Sequence, residues 1–350
     1  MNAKNTGKIS PLIVSKSLEK SMYLGLSGIP LETMPTDHTD FLFYDPTGYW
    51  SFPNQTIIHS LESQYLLLYE LVVTKLWGNA QAYIDAEGSI DAHWKDMLTD
   101  TGLNAESTLS KSDFDKTLGK ITDVDDKRFL HKYLYSIDFF SLISNIQEIS
   151  KELIYLSGDF YYILNFESEF LGLSNSEKQM YRTTKSPIAN KLIGLMALIY
   201  IRLQSSLDYH TKLAYEIEKI KTSFEKYPKL ASNNKLYSDK KKLNINESIG
   251  TLFEKDAFIN GIESYRNELI HNSLLDDTPR IYEKYENYEL VERYILLPDT
   301  DENGRIEGYV NRNFFYSQEV KFNLILPDLL RTFQERQIKT LQVLSQSMQP

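Results

Sequence analysis

Ser264-Tyr265-Arg266-Asn267-Glu268-Leu269-Ile270-His271-Asn272 closes an amphipathic pattern that begins near Glu254. Phe258, Ile262, Tyr265 and Leu269 recur at the spacing of one buried helical stripe. At about 100° per residue, Asn260, Ser264, Asn267 and His271 form a second stripe beside it, polar throughout. Arg266 stands five residues before His271, about 140° away on an ideal helix. Its long side chain, or unwinding at the helix end, can still bring the guanidinium towards the imidazole. Asn272 and Ser273 read as the stop.

Working outward, most of the chain repeats this helical periodicity, and the expected class is mainly α. Gln55 to Trp77 carries a wide apolar face of Leu61, Tyr65, Leu68, Tyr69, Val72 and Leu76. Phe129 to Leu164 and Pro187 to about Phe224 predict two long helices, the second of them central. Ser186-Pro187 is a helix-start signal. Short helices are expected around Ala92 to Leu98 and Asp113 to Ile121. Asp123, Asp125 and Asp126 read as a capped helix start. Tyr227 to Asn246 is a connector without periodicity. Beyond the motif helix, Tyr288 to Leu297 and Ile306 to Tyr316 alternate like strands around the loop Pro298 to Gly304, with a third strand over Glu319 to Leu326. Pro327 then opens a last helix. The expected organisation is an irregular N-terminal arm over residues 1–54 and a helical domain over 55–350. That domain carries a β insert at about 286–326 and a final helix at about 327–345. Within the arm, Phe41 to Tyr44 and Tyr49 to Phe52 suit a short aromatic hairpin.

Composition narrows the function. Hydrophobic residues make up 42% and charged residues 25%, as in ordinary globular proteins. Cys is absent, which removes disulfides and thiolate metal sites and fits a reducing, cytoplasmic setting. The longest apolar run, Leu192 to Ile201, is too short to span a bilayer, so no membrane association is expected. A net charge of −10 argues against a general polyanion binder. The charge is nevertheless uneven. Asp85 to Asp126 holds eleven acidic and four basic residues, whereas Lys212 to Lys242 holds nine basic and four acidic. The basic stretch lies just upstream of the motif helix and is a local anion-attracting surface or a solvated face.

Other clusters of chemistry-bearing residues read as structure. Asp37-His38-Thr39-Asp40 with Asp45 lacks a second His at useful spacing and reads as a polar loop. Asp299-Thr300-Asp301-Glu302-Asn303-Gly304 copies the first half of a calcium loop, but Val310 stands where the closing Glu belongs, so a plain turn is expected. His59 and His210 are expected at the surface, and His131 faces away from the buried stripe of its helix with no evident partner. No P-loop, Gly-rich dinucleotide fingerprint or nucleophile elbow is present. Neither a cofactor nor a metal ion is expected.

Arg266, Asn267 and His271, with four residues between Arg and His, resemble the signature of the HEPN superfamily (higher eukaryotes and prokaryotes nucleotide-binding). The resemblance covers the motif helix and, more loosely, the helices from Phe129 to Phe224. It implies an antiparallel helical bundle that dimerises, two motif helices meeting in a cleft that cuts RNA without metal. Catalytic residues would be His271 as acid/base, Arg266 as the clamp on transition-state charge, and Asn267 as the residue orienting the imidazole or binding a phosphate oxygen. Histidine suits this work because its ordinary pKa lies near neutrality, and the Arg fork matches phosphate geometry. A homodimer would supply both an acid and a base. Many bacterial members are toxins or phage-defence effectors, so an antitoxin or nucleotidyltransferase partner follows by analogy; no DNA specificity does. The alternative is a catalytically silent RNA-binding, nucleotide-binding or interaction scaffold.

Overall fold

The computed structural model describes residues 22–35, 41–44, 50–52, 56–90, 101–103, 105, 109–167, 181–271, 275, 278–312 and 314–349. The Asp37 to Asp40 cluster with Asp45, the helix expected at Ala92 to Leu98 and the stop at Asn272-Ser273 lie outside the described residues.

The fold is mainly α. Its helices are α1 (Thr56–Trp77), α2 (Ala80–Ser89), α3 (Lys111–Lys120), α4 (Val124–Asn165), α5 (Pro187–Glu218), α6 (Ala257–His271) and α7 (Phe322–Met348). Local chemistry sets their starts. Asp123 caps α4 by accepting the amides of Asp125 (2.8 Å) and Asp126 (3.0 Å). That accounts for the acidic cluster there. Ser186 caps α5 through the Ala189 amide, with Pro187 in the first turn.

α4 and α5 run antiparallel over most of their length. Tyr135 reaches Glu216 at one end, Arg202 pairs with Glu152 in the middle, and Lys191 meets Glu167 at the other. α1 also lies antiparallel to α4: Trp77 Nε1 donates to Ser136 Oγ, and Tyr69 bonds Ser144. α7 closes the bundle, with Gln337 bonded to Ser150 of α4 and Ser206 of α5. One apolar core runs through all of these helices and takes in α6. No helix among the described residues is long and apolar enough to cross a membrane.

Two small antiparallel sheets cap one end of the bundle. The expected irregular arm is, over its described residues, a sheet of order β2-β1-β3-β4, from Met22–Gly25 (β1), Pro30–Leu31 (β2), Phe41–Tyr44 (β3) and Trp50–Ser51 (β4). β3 and β4 form the expected aromatic pairing, with Phe43 opposite Ser51. The sheet is anchored to α4 by Asn165, whose side chain bonds both backbone groups of Gly25 at 3.1 Å.

The second sheet joins Tyr181–Thr184 (β5), Ile281–Glu286 (β6) and Glu289–Tyr294 (β7) in that order. This corrects the expected β insert. The hairpin turns at Asn287-Tyr288, both at positive φ, and not around Pro298 to Gly304. Ile306 to Tyr316 forms isolated bridges rather than a strand. The third expected strand is also absent, because α7 begins at Phe322 and carries Pro327 inside it. Buried Arg293 on β7 pairs with Glu283 on β6 at 3.0 Å and donates to the Asn165 carbonyl, joining the two sheets at the end of α4.

Candidate functional site

Helix α6 begins at Ala257, three residues later than the periodicity suggests, because Asp256 caps it by accepting the Ile259 amide at 3.1 Å. Arg336 of α7 grips that carboxylate with two hydrogen bonds, one of 3.1 Å from Nη1 to Oδ1 and one from Nη2 to Oδ2. Ile259, Ile262 and Tyr265 form the buried face, while Phe258 and Leu269 are half-buried beside it. The Tyr265 ring packs on Tyr200 of α5 at 4.9 Å between centroids, and its hydroxyl donates to the Pro298 carbonyl at 2.7 Å.

The polar stripe divides into two halves with different work. Asn260 donates to the Asn303 carbonyl at 3.1 Å, and Ser264 Oγ accepts the Ile306 amide at 3.1 Å. Both hold the loop 298–306 along the helix. Gly304 lets that loop approach: its φ is +79°, and a Cβ there would sit 2.0 Å from the Ala257 carbonyl oxygen. The loop is a plain turn. Buried Asp299 accepts from the Ser317 amide (2.8 Å) and hydroxyl (2.6 Å) and the Gln318 amide (2.9 Å). Burial works to raise its pKa, but these donors win and hold the carboxyl below the usual range. Asp301 Oδ1 takes the amides of Asn303 and Arg305.

The other half of the stripe is exposed. Asn267 and His271 lie open at the C-terminal end of α6, one turn apart on one face. Arg266 is half-buried, and its Nη1 donates to Asn267 Oδ1 at 2.8 Å. Arg266 and Asn267 are thus brought together, with His271 following one turn beyond Asn267. Arg266 also acts electrostatically on Asp208 of α5, which accepts the Tyr237 amide at 2.7 Å. Burial raises the Asp208 carboxyl pKa; the Tyr237 amide, Gln204 and the charges of Lys212 and Arg266 pull against that rise.

Two of the remaining histidines depart from expectation. His210 is fully buried, not at the surface. Its Nδ1 lies 2.8 Å from the Ser206 carbonyl, and burial pushes its pKa down to about 4 against that hydrogen bond. It falls in phase with Leu203, Leu207, Ala214 and Ile217, so the signal for burial was its helical position. His131 has partners too: Nδ1 lies 2.9 Å from the Phe224 carbonyl, and the ring stacks on Tyr227. His59 is exposed beside Glu62. Among the described residues no three His, Asp or Glu side chains are grouped as metal ligands.

Comparison of this chain with family models, with curated proteins and with solved structures returns no match.

Proposed function

We propose that the chain is a metal-independent endoribonuclease of HEPN type acting as a symmetric dimer. The observation that carries this is the exposed end of α6, where Arg266 bonds Asn267 and His271 lies one turn further along the same open face. Asn260 and Ser264 are occupied by the 298–306 loop, whereas Asn267 and His271 have no comparable structural tie to it. The bundle of α1, α4, α5, α6 and α7 is compatible with a HEPN-like architecture and provides a rigid base for the motif.

In the proposed reaction the ribose 2′-hydroxyl loses its proton to one His271 as it attacks the neighbouring phosphate. His271 of the partner subunit protonates the departing 5′-oxygen. Arg266 stabilises charge on the phosphoryl oxygens, and Asn267 holds the guanidinium or the imidazole in place. The product carries a 2′,3′-cyclic phosphate. A toxin or phage-defence role, with an antitoxin or nucleotidyltransferase partner, is part of the proposal by analogy only.

A second reading has its own support. The Arg266 guanidinium is already engaged by Asn267 and acts electrostatically on the Asp208 carboxylate, which suits a silent member that binds RNA or a nucleotide without cutting it. Purified protein and His271→Ala incubated with mixed RNA in EDTA separate the two. Cleavage by the wild type alone, leaving cyclic phosphate ends, is expected. Intact RNA in both reactions overturns the nuclease.

A further inference from the structure

A groove of about 420 Å³ opens between α4, α5 and the segment that follows α5. That volume lies within the range of about 300–1,000 Å³ usual for small-ligand sites. Lys212 and Tyr209 come from α5, Asn145 and Asp138 from α4, and Tyr227, Lys229 and Ser232 from the connector. The Lys212 ammonium stands 4.7 Å from the centroid of the Tyr209 ring, and Lys229 is exposed. The Asp138 carboxylate accepts the Tyr227 hydroxyl at 2.5 Å.

Ser232 supplies the sharpest observation. It is 1% exposed, its amide donates to Glu216 at 2.7 Å, and its hydroxyl has no hydrogen-bond partner. A buried hydroxyl without a partner on the wall of a polar groove is an unusual cost for a native fold and marks a place where a ligand atom can complete the bond. A larger opening of about 700 Å³ lies beside α1, but there His59 faces Glu62 and Lys151 faces Glu148, leaving no cationic excess.

We infer that the groove between Lys212, Lys229 and Ser232 seats one nucleotide of single-stranded RNA. The phosphate lies between the two lysines and accepts from Ser232. The base packs on the tyrosine rings at the rim, and Asp138 receives its amino donors. This rests on the reading of the chain as a protein that acts on RNA, and it gives the basic stretch from Lys212 to Lys242 a function within a molecule of net charge −10. Lys212 and Arg266 both act on the Asp208 carboxylate, from α5 and α6.

The test measures binding of a short fluorescent single-stranded RNA to full-length protein carrying His271→Ala, which keeps the probe intact. Adding Lys212→Glu and Lys229→Glu should weaken binding about tenfold or more and lower the salt slope by about two. Lys229→Glu alone, at an exposed position, gives part of both effects without disturbing the fold. Ser232→Ala should weaken RNA binding while leaving the melting temperature of the free protein unchanged or higher, since it removes an unsatisfied buried group. Unchanged affinity in the lysine variants overturns the inference, as does an equal loss from Lys75→Glu with Lys339→Glu elsewhere on the surface. Competition by a free mononucleotide as strong as by the RNA also overturns it, in favour of a small-molecule site. Cleavage by the wild type with no effect of the lysines sinks the groove and spares the nuclease. Lysine-dependent binding without cleavage does the reverse.

Discussion

The Tyr161 hydroxyl of α4 donates to the Asn323 carbonyl of α7, the acceptor left without a helical partner because Pro327 lacks an N–H. A proline at this depth in a helix removes one backbone bond, and here a buried tyrosine from another helix replaces it. The Asn323 side chain extends the same junction: it donates to the Leu26 carbonyl at 2.7 Å and accepts the Ile295 amide at 3.4 Å. The start of α7, the N-terminal sheet and β7 therefore meet at one residue. Tyr161→Phe should cost about 1–3 kcal/mol, since a buried carbonyl loses its only replacement donor. Urea unfolding followed by circular dichroism measures it. In a Pro327→Ala background the loss should shrink, because the backbone amide that this substitution restores can bond the carbonyl in place of the tyrosine. Equal losses in both backgrounds would sink this account.

His210 makes stability depend on pH. An unfolded histidine takes a proton below about pH 6.5, whereas the buried native one does so only near 4. Between those values the unfolded chain binds more protons, so stability falls as pH drops through that window and is unaffected above it. The full loss is about 3 kcal/mol. Unfolding curves of wild type and His210→Gln at a series of pH values should diverge in slope only within the window. Parallel slopes would mean that His210 does not titrate in this way.

The loop beside the motif helix is held by carboxylates. Asp299→Ala leaves the Ser317 amide, its hydroxyl and the Gln318 amide without their acceptor. The expected cost is about 3 kcal/mol, in the range for hydrogen bonds to a charged group. Calcium or a chelator should leave the wild-type melting temperature where it is. A calcium-dependent rise of several degrees would refute the plain-turn description.

What was legible in the sequence is what a periodicity can carry. α1, α4, α5 and the apolar face of α6 follow from spacing alone, because each buries a stripe that recurs along its own length. The sheets were read less well. Their strands are short, the β6–β7 turn uses Asn287 and Tyr288 without a glycine, and β5 lies about a hundred residues from its partner β6. Pro327 read as a helix start because the rescue of Asn323 by Tyr161 comes from a distant helix and leaves no local mark. At the motif, the residue types and the exposed end of α6 were legible. The conversion of Asn260 and Ser264 into loop anchors was not, since it depends on a segment some forty residues later. The groove around Lys212 and Ser232 showed only as a charge excess, because its walls come from four separated segments.

The division of the polar stripe predicts that its members fail in different ways. His271→Ala removes an exposed side chain and should leave stability within about half a kcal/mol of wild type. If the proposed chemistry holds, it lowers RNA cleavage about a hundredfold or more. Arg266→Ala should lower cleavage comparably while changing stability little, since Asn267 is exposed and can turn to water when its partner is lost. Ser264→Ala strips the Ile306 amide of its acceptor and should cost about 1 kcal/mol. Its effect on cleavage should be smaller than that of His271→Ala, because Ser264 bonds the loop and sits about two helical turns before His271. Cleavage assays in EDTA paired with thermal melts read both axes at once. A His271→Ala protein that melts far below wild type would place the imidazole in the scaffold and remove it from the chemistry.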